Sequence, residues 1–162
     1  MKKAILLMLA CVCALALGCN NGPKKPDDLP KLIPTTIVVQ YDDGTPVAEA
    51  TVALRNPDAN AGRTWNLTGV TDAQGKVVLK TDGQWDGAPA GTYQVMVTKE
   101  VSELDQGTEP GASVIVKSVT RFVDQKYNNP NTSGITVEVK EGGEAEHVIK
   151  VGEKVEQDAK MA

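Results

Sequence analysis

The chain has 162 residues, with 17 lysines and arginines against 21 aspartates and glutamates, one histidine and a formal net charge of −4. An acidic balance without a basic cluster argues against nucleic acid as a partner, because phosphate recognition needs lysine and arginine gathered on one face. The length is that of one domain with a core large enough to need no disulfides.

The first predicted element is a leader. In "MKKAILLMLACVCALALGCN", Lys2 and Lys3 precede an uncharged apolar run from Ala4 to Leu17 that breaks at Gly18-Cys19. That order of charge, apolar stretch and small residue is a secretory signal. The run falls short of the roughly 20 apolar residues of a membrane-spanning helix. "LALGC" resembles a bacterial lipobox, although Ala16 stands where that motif most often has leucine. The resemblance implies cleavage after Gly18 and diacylation of Cys19, so the expected partner is a membrane, reached through the lipid on Cys19. Asn20 in place of aspartate after the cysteine implies the outer rather than the inner membrane of the cell envelope. An ordinary secreted protein cut near Cys19 is the alternative. Loss of residues 1–18 removes Cys11 and Cys13 and, with Lys2 and Lys3, leaves 15 basic residues against 21 acidic ones, a net charge of −6. With Cys19 lipidated there is no free thiol, disulfide or cysteine-ligated zinc.

Residues 19–34 include "NNGPKKPDDLPKLIP", which is rich in proline and poor in apolar side chains. Such a segment reads as a semi-extended tether, with the packing of Leu32 and Ile33 on the domain edge left open. From Thr35 short alternating runs are separated by turns. "TTIVVQY" and "ATVALR" are strands around the "DDGTP" turn, and "GVTDAQGKVVLKT" reads as strand, turn, strand. "TYQVMVT" alternates Tyr93, Val95 and Val97 against Gln94, Met96 and Thr98, and "ASVIVKSVTRFV" is β-branched but less cleanly phased. "SGITVEVKEGGEAEHVIKV" reads as a closing hairpin with Ile135, Val137 and Val139 inward and Gly142-Gly143 at its turn. No window carries a helical period. The expected fold is all-β, a single antiparallel β-sandwich of about seven strands over residues 35–152, followed by a polar tail, 153–162.

Three segments then carry a family resemblance. Val47, Ala50 and Val52 in "GTPVAEATVAL", Thr71, Asp72 and Gly75 in "GVTDAQGKVVLKT", and Pro89, Gly91, Tyr93 and Val95 in "GAPAGTYQVMV" resemble the successive signatures of the carboxypeptidase-regulatory-like domain. Val77 stands where that family often has phenylalanine. "KYNNPNTSGITVEVKEG" is similar to the close of small bacterial lipoproteins built on this one domain. The resemblance implies a transthyretin-like (prealbumin-like) fold; the lipobox, the proline linker and the single domain point to a non-catalytic envelope lipoprotein displaying it as a structural or protein-interaction module.

The fold also carries enzymes, so the chemistry needs a test. A single histidine, His147, cannot supply a two-histidine iron site or an oriented acid–base pair. Asp42, Asp43, Asp72, Asp82 and Asp86 lie in turns without the regular spacing of a calcium loop, and turns use aspartate in any case. No catalytic residue, metal or cofactor is therefore assigned. Trp65 and Trp85 are the candidate ligand-binding residues, as stacking platforms for an envelope glycan. For Trp85 the competing reading is a structural corner that covers one end of the sandwich. The remaining candidate partner is an envelope protein, and the chain is expected to be a monomer.

Overall fold

The computed structural model describes residues 24–57, 63–106, 114–143 and 145–160. Side chains alternate across a strand with period two, and the buried positions follow that period. The strands are β1 (Leu32–Ile33), β2 (Thr36–Gln40), β3 (Thr51–Arg55), β4 (Leu67–Val70), β5 (Lys76–Val78), β6 (Lys80–Thr81), β7 (Trp85–Asp86), β8 (Ala88–Pro89), β9 (Gly91–Thr98), β10 (Glu100–Gln106), β11 (Val114–Arg121), β12 (Thr136–Val139), β13 (Glu146–Lys150) and β14 (Gln157–Lys160). They form a six-stranded sheet in the order β12-β9-β3-β4-β6-β7, a three-stranded sheet β13-β2-β5, a second three-stranded sheet β10-β11-β14, and the short pair β1-β8.

The first two sheets make the sandwich. Val52 and Leu54 of β3, Tyr93, Val95 and Val97 of β9, and Val137 and Val139 of β12 are buried from one side, and Ile37 and Val39 of β2, Val77 of β5 and Ile149 of β13 from the other. Each such aliphatic side chain contributes on the order of 1.5–3 kcal/mol by leaving water. The layers approach closely where Gly69 of β4 faces Val77, since a Cβ on Gly69 would collide with the Val77 Cγ2 methyl.

Two buried hydroxyls tie loops to this core. Thr71 Oγ1 donates to the Val47 carbonyl at 2.6 Å and accepts from the Ala50 amide at 2.8 Å. Thr81 Oγ1 donates to the Gly87 carbonyl at 2.7 Å. At Leu79 the chain crosses from one sheet to the other. Its amide donates to the Thr35 carbonyl at 3.0 Å and its carbonyl accepts from the Gly87 amide at 2.8 Å, so the crossover leaves neither backbone group unpaired.

The all-β sandwich expected from the sequence is present, with several differences in pairing. The two arms of residues 69–79 do not pair with each other, because β4 joins β3 and β6 while β5 joins β2. Residues 135–150 do not form a hairpin either. The turn at Gly142-Gly143 exists, with the Gly143 amide on the Lys140 carbonyl at 3.1 Å, but it carries the chain from β12 in one sheet to β13 in the other. There β13 runs parallel to β2, an exception to an otherwise antiparallel sandwich.

Four segments carry more structure than expected. Strand β10, too polar to signal itself, pairs with β11 along its length. The supposed polar tail supplies β14, which pairs with β11 from Ser118↔Lys160 to Arg121↔Gln157. A 3-10 turn, Gln125–Asn128, and a helical turn, Pro130–Ser133, fill the stretch before β12, capped by the carboxylate of Asp124 and the amide of Asn129. Each needs only one cap and no amphipathic period. Finally, the tether joins the domain earlier than residue 35: Leu32 and Ile33 pair with Pro89 and Ala88, and Ile33 packs on the core.

Candidate functional site

Gly18 and Cys19 lie outside the described residues. The two tryptophans lie within them, and local chemistry positions each.

Trp85 is in β7 rather than in a loop. Asp82 and Gly83, at φ of 51° and 70°, turn the chain between β6 and β7, and the Gln84 amide closes the turn on the Thr81 carbonyl at 3.1 Å. Asp82 also fastens this tip to the segment before β4: its amide donates to the Asn66 carbonyl at 2.7 Å and its carboxylate accepts from the Asn66 amide at 3.0 Å. Trp85 therefore sits opposite Thr81 at the outer edge of the six-stranded sheet, half-buried.

Trp65 precedes β4 and packs partly against the core. The Arg63 guanidinium lies 4.1 Å from its ring centroid. That guanidinium is itself held: Nη1 donates to both carboxylate oxygens of Asp28 at 3.1 and 3.0 Å, and Nη2 lies 3.7 Å from Asp82. One face of the indole is thus covered by a cation that the tether restrains.

The tryptophans line different hollows. Trp65 borders a concavity of about 500 Å³ with Arg55, Tyr93, Gln94 and Asn131. Trp85 borders a shallower one of about 690 Å³ with Leu29, Lys31 and Leu32 of the tether. Pro30 belongs to both walls. A single ligand stacked across both indoles is not what this arrangement offers. The tether is fixed between them by β1, by the Asp28 pair with Arg63 and by Lys31 with Glu141 at 2.8 Å.

The re-entry corner next to Trp85 depends on Gly87. It has φ of +100°, and a Cβ there would meet the Ile33 carbonyl oxygen at 2.5 Å, so only glycine lets β1 lie against β8. Tyr93 buries its ring as its place in the alternating run implies, and burial pushes its hydroxyl above the ordinary tyrosine range.

Asp43 and Asp72, like Asp82, are occupied with backbone, and Asp86 lies 3.5 Å from the Lys80 ammonium. Asp43 accepts from the Thr45 amide at 2.8 Å, and Asp72 from the amides of Gln74 and Lys76 at 2.9 Å each. The Thr45 amide holds the Asp43 carboxyl below the usual range. Among the described residues no three histidine, cysteine or acidic side chains gather as metal ligands. His147 sits half-buried opposite Ile37, and its Nε2 is covered by protein without a hydrogen-bond partner. A general base needs such a partner to orient it.

Neither tryptophan's surroundings were legible beforehand. The signal available was local, an arginine two residues before Trp65 and an Asp-Gly turn before Trp85, and the tether's part in both walls comes only from long-range contacts. Compared with known proteins, the chain matches no family model, no curated protein and no solved structure at a significant level.

Proposed function

We propose that this chain is a non-catalytic envelope lipoprotein, anchored through a lipid on Cys19 and displaying a transthyretin-like β-sandwich as a structural or protein-interaction module. The observation that carries the reading is the docking of the tether. An apolar leader ends at Gly18-Cys19, and the chain that follows is held on the sandwich end from Asp28 to Ile33 by an ion pair and a strand pair. A covalent anchor placed so near a packed domain holds that domain at the membrane with its sheets turned to the surroundings. The polar side chains at the two ends of the sandwich support a scaffold rather than a catalyst, since Thr81 and Asp82 at the tether end and Thr71 and Asp72 at the other are committed to backbone groups.

The test is processing of the full chain in a bacterial host. Mass spectrometry of the amino-terminal peptide from the membrane fraction is expected to find a diacylglyceryl group on Cys19, and Cys19→Ala is expected to leave the precursor unprocessed and unlipidated. An unmodified Cys19 in a soluble, cleaved product overturns the anchor.

A second reading is a module that binds an envelope glycan or another extracellular ligand. The hollow beside Trp65 favours it, because Gln94, Asn131 and Arg55 surround an aromatic wall there. Acrylamide quenching of tryptophan emission, with and without a glycan panel, separates the two. Protection by one glycan that is lost in Trp65→Phe supports binding; quenching unchanged by every glycan supports the scaffold.

A further inference from the structure

Strand β13 is an open edge. It pairs with β2 on one side, and among the described residues no strand pairs with it on the other. The direction of its backbone groups follows from the ends of that pairing. The Ala145 carbonyl accepts from the Thr36 amide at 2.8 Å and the Val151 amide donates to the Gln40 carbonyl at 3.0 Å. Odd-numbered residues therefore face β2, and by the period of two the amides and carbonyls of Glu146, Val148 and Lys150 point outward. The same three residues carry their side chains on the solvent side, where Val148 is 59% exposed.

We infer that this edge pairs with β13 of a second copy of the chain, antiparallel about a two-fold axis through Val148. In that register Val148 meets its twin, and Glu146 of each copy stands opposite Lys150 of the other; within one chain Glu146 holds Lys76 at 2.6 Å and Lys150 donates to the Asp42 carbonyl at 3.2 Å, exposed contacts that the pairing across the two-fold joins or replaces. All three positions are the hydrogen-bonded kind, with outward amide facing outward carbonyl, so six backbone bonds form and no side chain changes face. Opposite charges directly across an antiparallel pair are favourable and like charges are not. An exposed edge with unpaired backbone groups is the usual template for such association, and a contact that repeats itself about a two-fold closes at a dimer.

Two other edges, β12 and β10, lack this self-complementarity. Pairing β12 with itself about its middle sets inward Val137 against outward Glu138, which lie on opposite faces. Pairing β10 about its middle sets Glu103 against Glu103, with a register shift between Glu103 and Leu104. The two charges on β13 become complementary across the pair in the antiparallel register centred on Val148. The inference stands apart from the proposed anchor and departs from the monomer expected from the sequence. A five-residue strand pair buries less than the ~800 Å² per partner of a standard interface, so the dimer is weak, with a Kd on the order of 100 μM.

The experiment uses the full chain as the cell processes it, purified with Val148→Cys. Hydrogen-bonded antiparallel partners lie at about 5.5 Å between Cα atoms, within disulfide range. Mild oxidation is expected to give a 148–148 disulfide, identified by mass spectrometry of the linked peptide, at least tenfold faster than the corresponding link in Val70→Cys, whose side chain is 62% exposed outside this edge. In the Val148→Cys background, Glu146→Lys or Lys150→Glu alone is expected to cut the yield about tenfold, and the two together to restore it. All of these positions are exposed, so folding is expected to survive, and circular dichroism checks it. Equal rates for Val148→Cys and Val70→Cys overturn the dimer. Insensitivity to single charge reversal overturns the register, and with it the inference.

Discussion

The Tyr93 hydroxyl donates a 2.9 Å hydrogen bond to the carbonyl of Pro89, four residues earlier, while its ring is only 4% exposed. One side chain thus closes the corner between β8 and β9 and at the same time fills the sandwich end beside Pro30 and Trp65. Proline lacks an amide to give the sheet but keeps its carbonyl, and Tyr93 is what satisfies it.

Tyr93→Phe keeps the ring and removes that bond, leaving the Pro89 carbonyl inside the fold without its partner. The expected loss is about 1–2 kcal/mol, from the usual cost of an unsatisfied buried acceptor. Urea unfolding of the two proteins under one condition reads it as a shift in midpoint with no change in slope.

Stability is expected to hold level through neutral pH and to decline at both ends. Burial raises both Tyr93 and Tyr41, with Asp43 adding to the effect on Tyr41, and the Glu146 carboxylate raises Lys76. A group bound to its proton more tightly when folded contributes fully below its unfolded pKa, 10.0 for tyrosine and 10.5 for lysine. That contribution disappears as pH rises through the folded value. Asp43 has the opposite sign: it is held low chiefly by the Thr45 amide, contributes above 3.8, and loses that contribution as pH falls through its folded value. Urea midpoints across pH check this; Tyr93→Phe should flatten the alkaline decline and Asp43→Ala the acid one.

Gly87→Ala and Gly44→Ala separate steric collision from backbone strain. Both glycines have positive φ, +100° and +86°, but a Cβ at Gly44 meets nothing within 4 Å whereas one at Gly87 meets the Ile33 backbone. Gly44→Ala is expected to cost about 1 kcal/mol, the left-handed penalty alone. Gly87→Ala is expected to cost about 3 kcal/mol or more, since strain at a special φ adds to a backbone clash. Thermal unfolding gives the ranking, and faster amide exchange at Leu32 and Ile33 identifies the release of β1 as the cause.

Arg63→Ala removes the cation over Trp65 and the partner of Asp28. The exposed ion pair and the cation–π contact contribute about 0.2–1 and 0.5–1 kcal/mol respectively, so the expected global loss stays below about 2 kcal/mol. The local effect is larger. Trp65 emission is expected to become more readily quenched by acrylamide, and the tether near Asp28 to be cut earlier by trypsin after Lys24 and Lys31. An unchanged digestion pattern would show that β1 and the Lys31–Glu141 pair hold the tether without the Asp28 contact.

Much of the architecture is written in local pattern. Alternation along Thr36–Gln40, Thr51–Arg55 and Gly91–Thr98 sets which side chains are inward, and Ile37, Val52 and Val95 are buried accordingly. The turns at Asp43-Gly44 and Asp72-Gly75, the corner at Gly87 and the burial of Tyr93 follow from residue chemistry that acts over a few positions. Pairing is different, because period two assigns a face and not a neighbour. Only the tertiary structure decided that β5 leaves its apparent partner β4 for β2, that β13 lies parallel to β2, and that β10 and β14, whose polar side chains carry no core signal, flank β11. It also decided that the tether runs between Trp65 and Trp85, since Asp28, Arg63 and Asp82 are brought together by the folded sheets and by nothing adjacent in the chain.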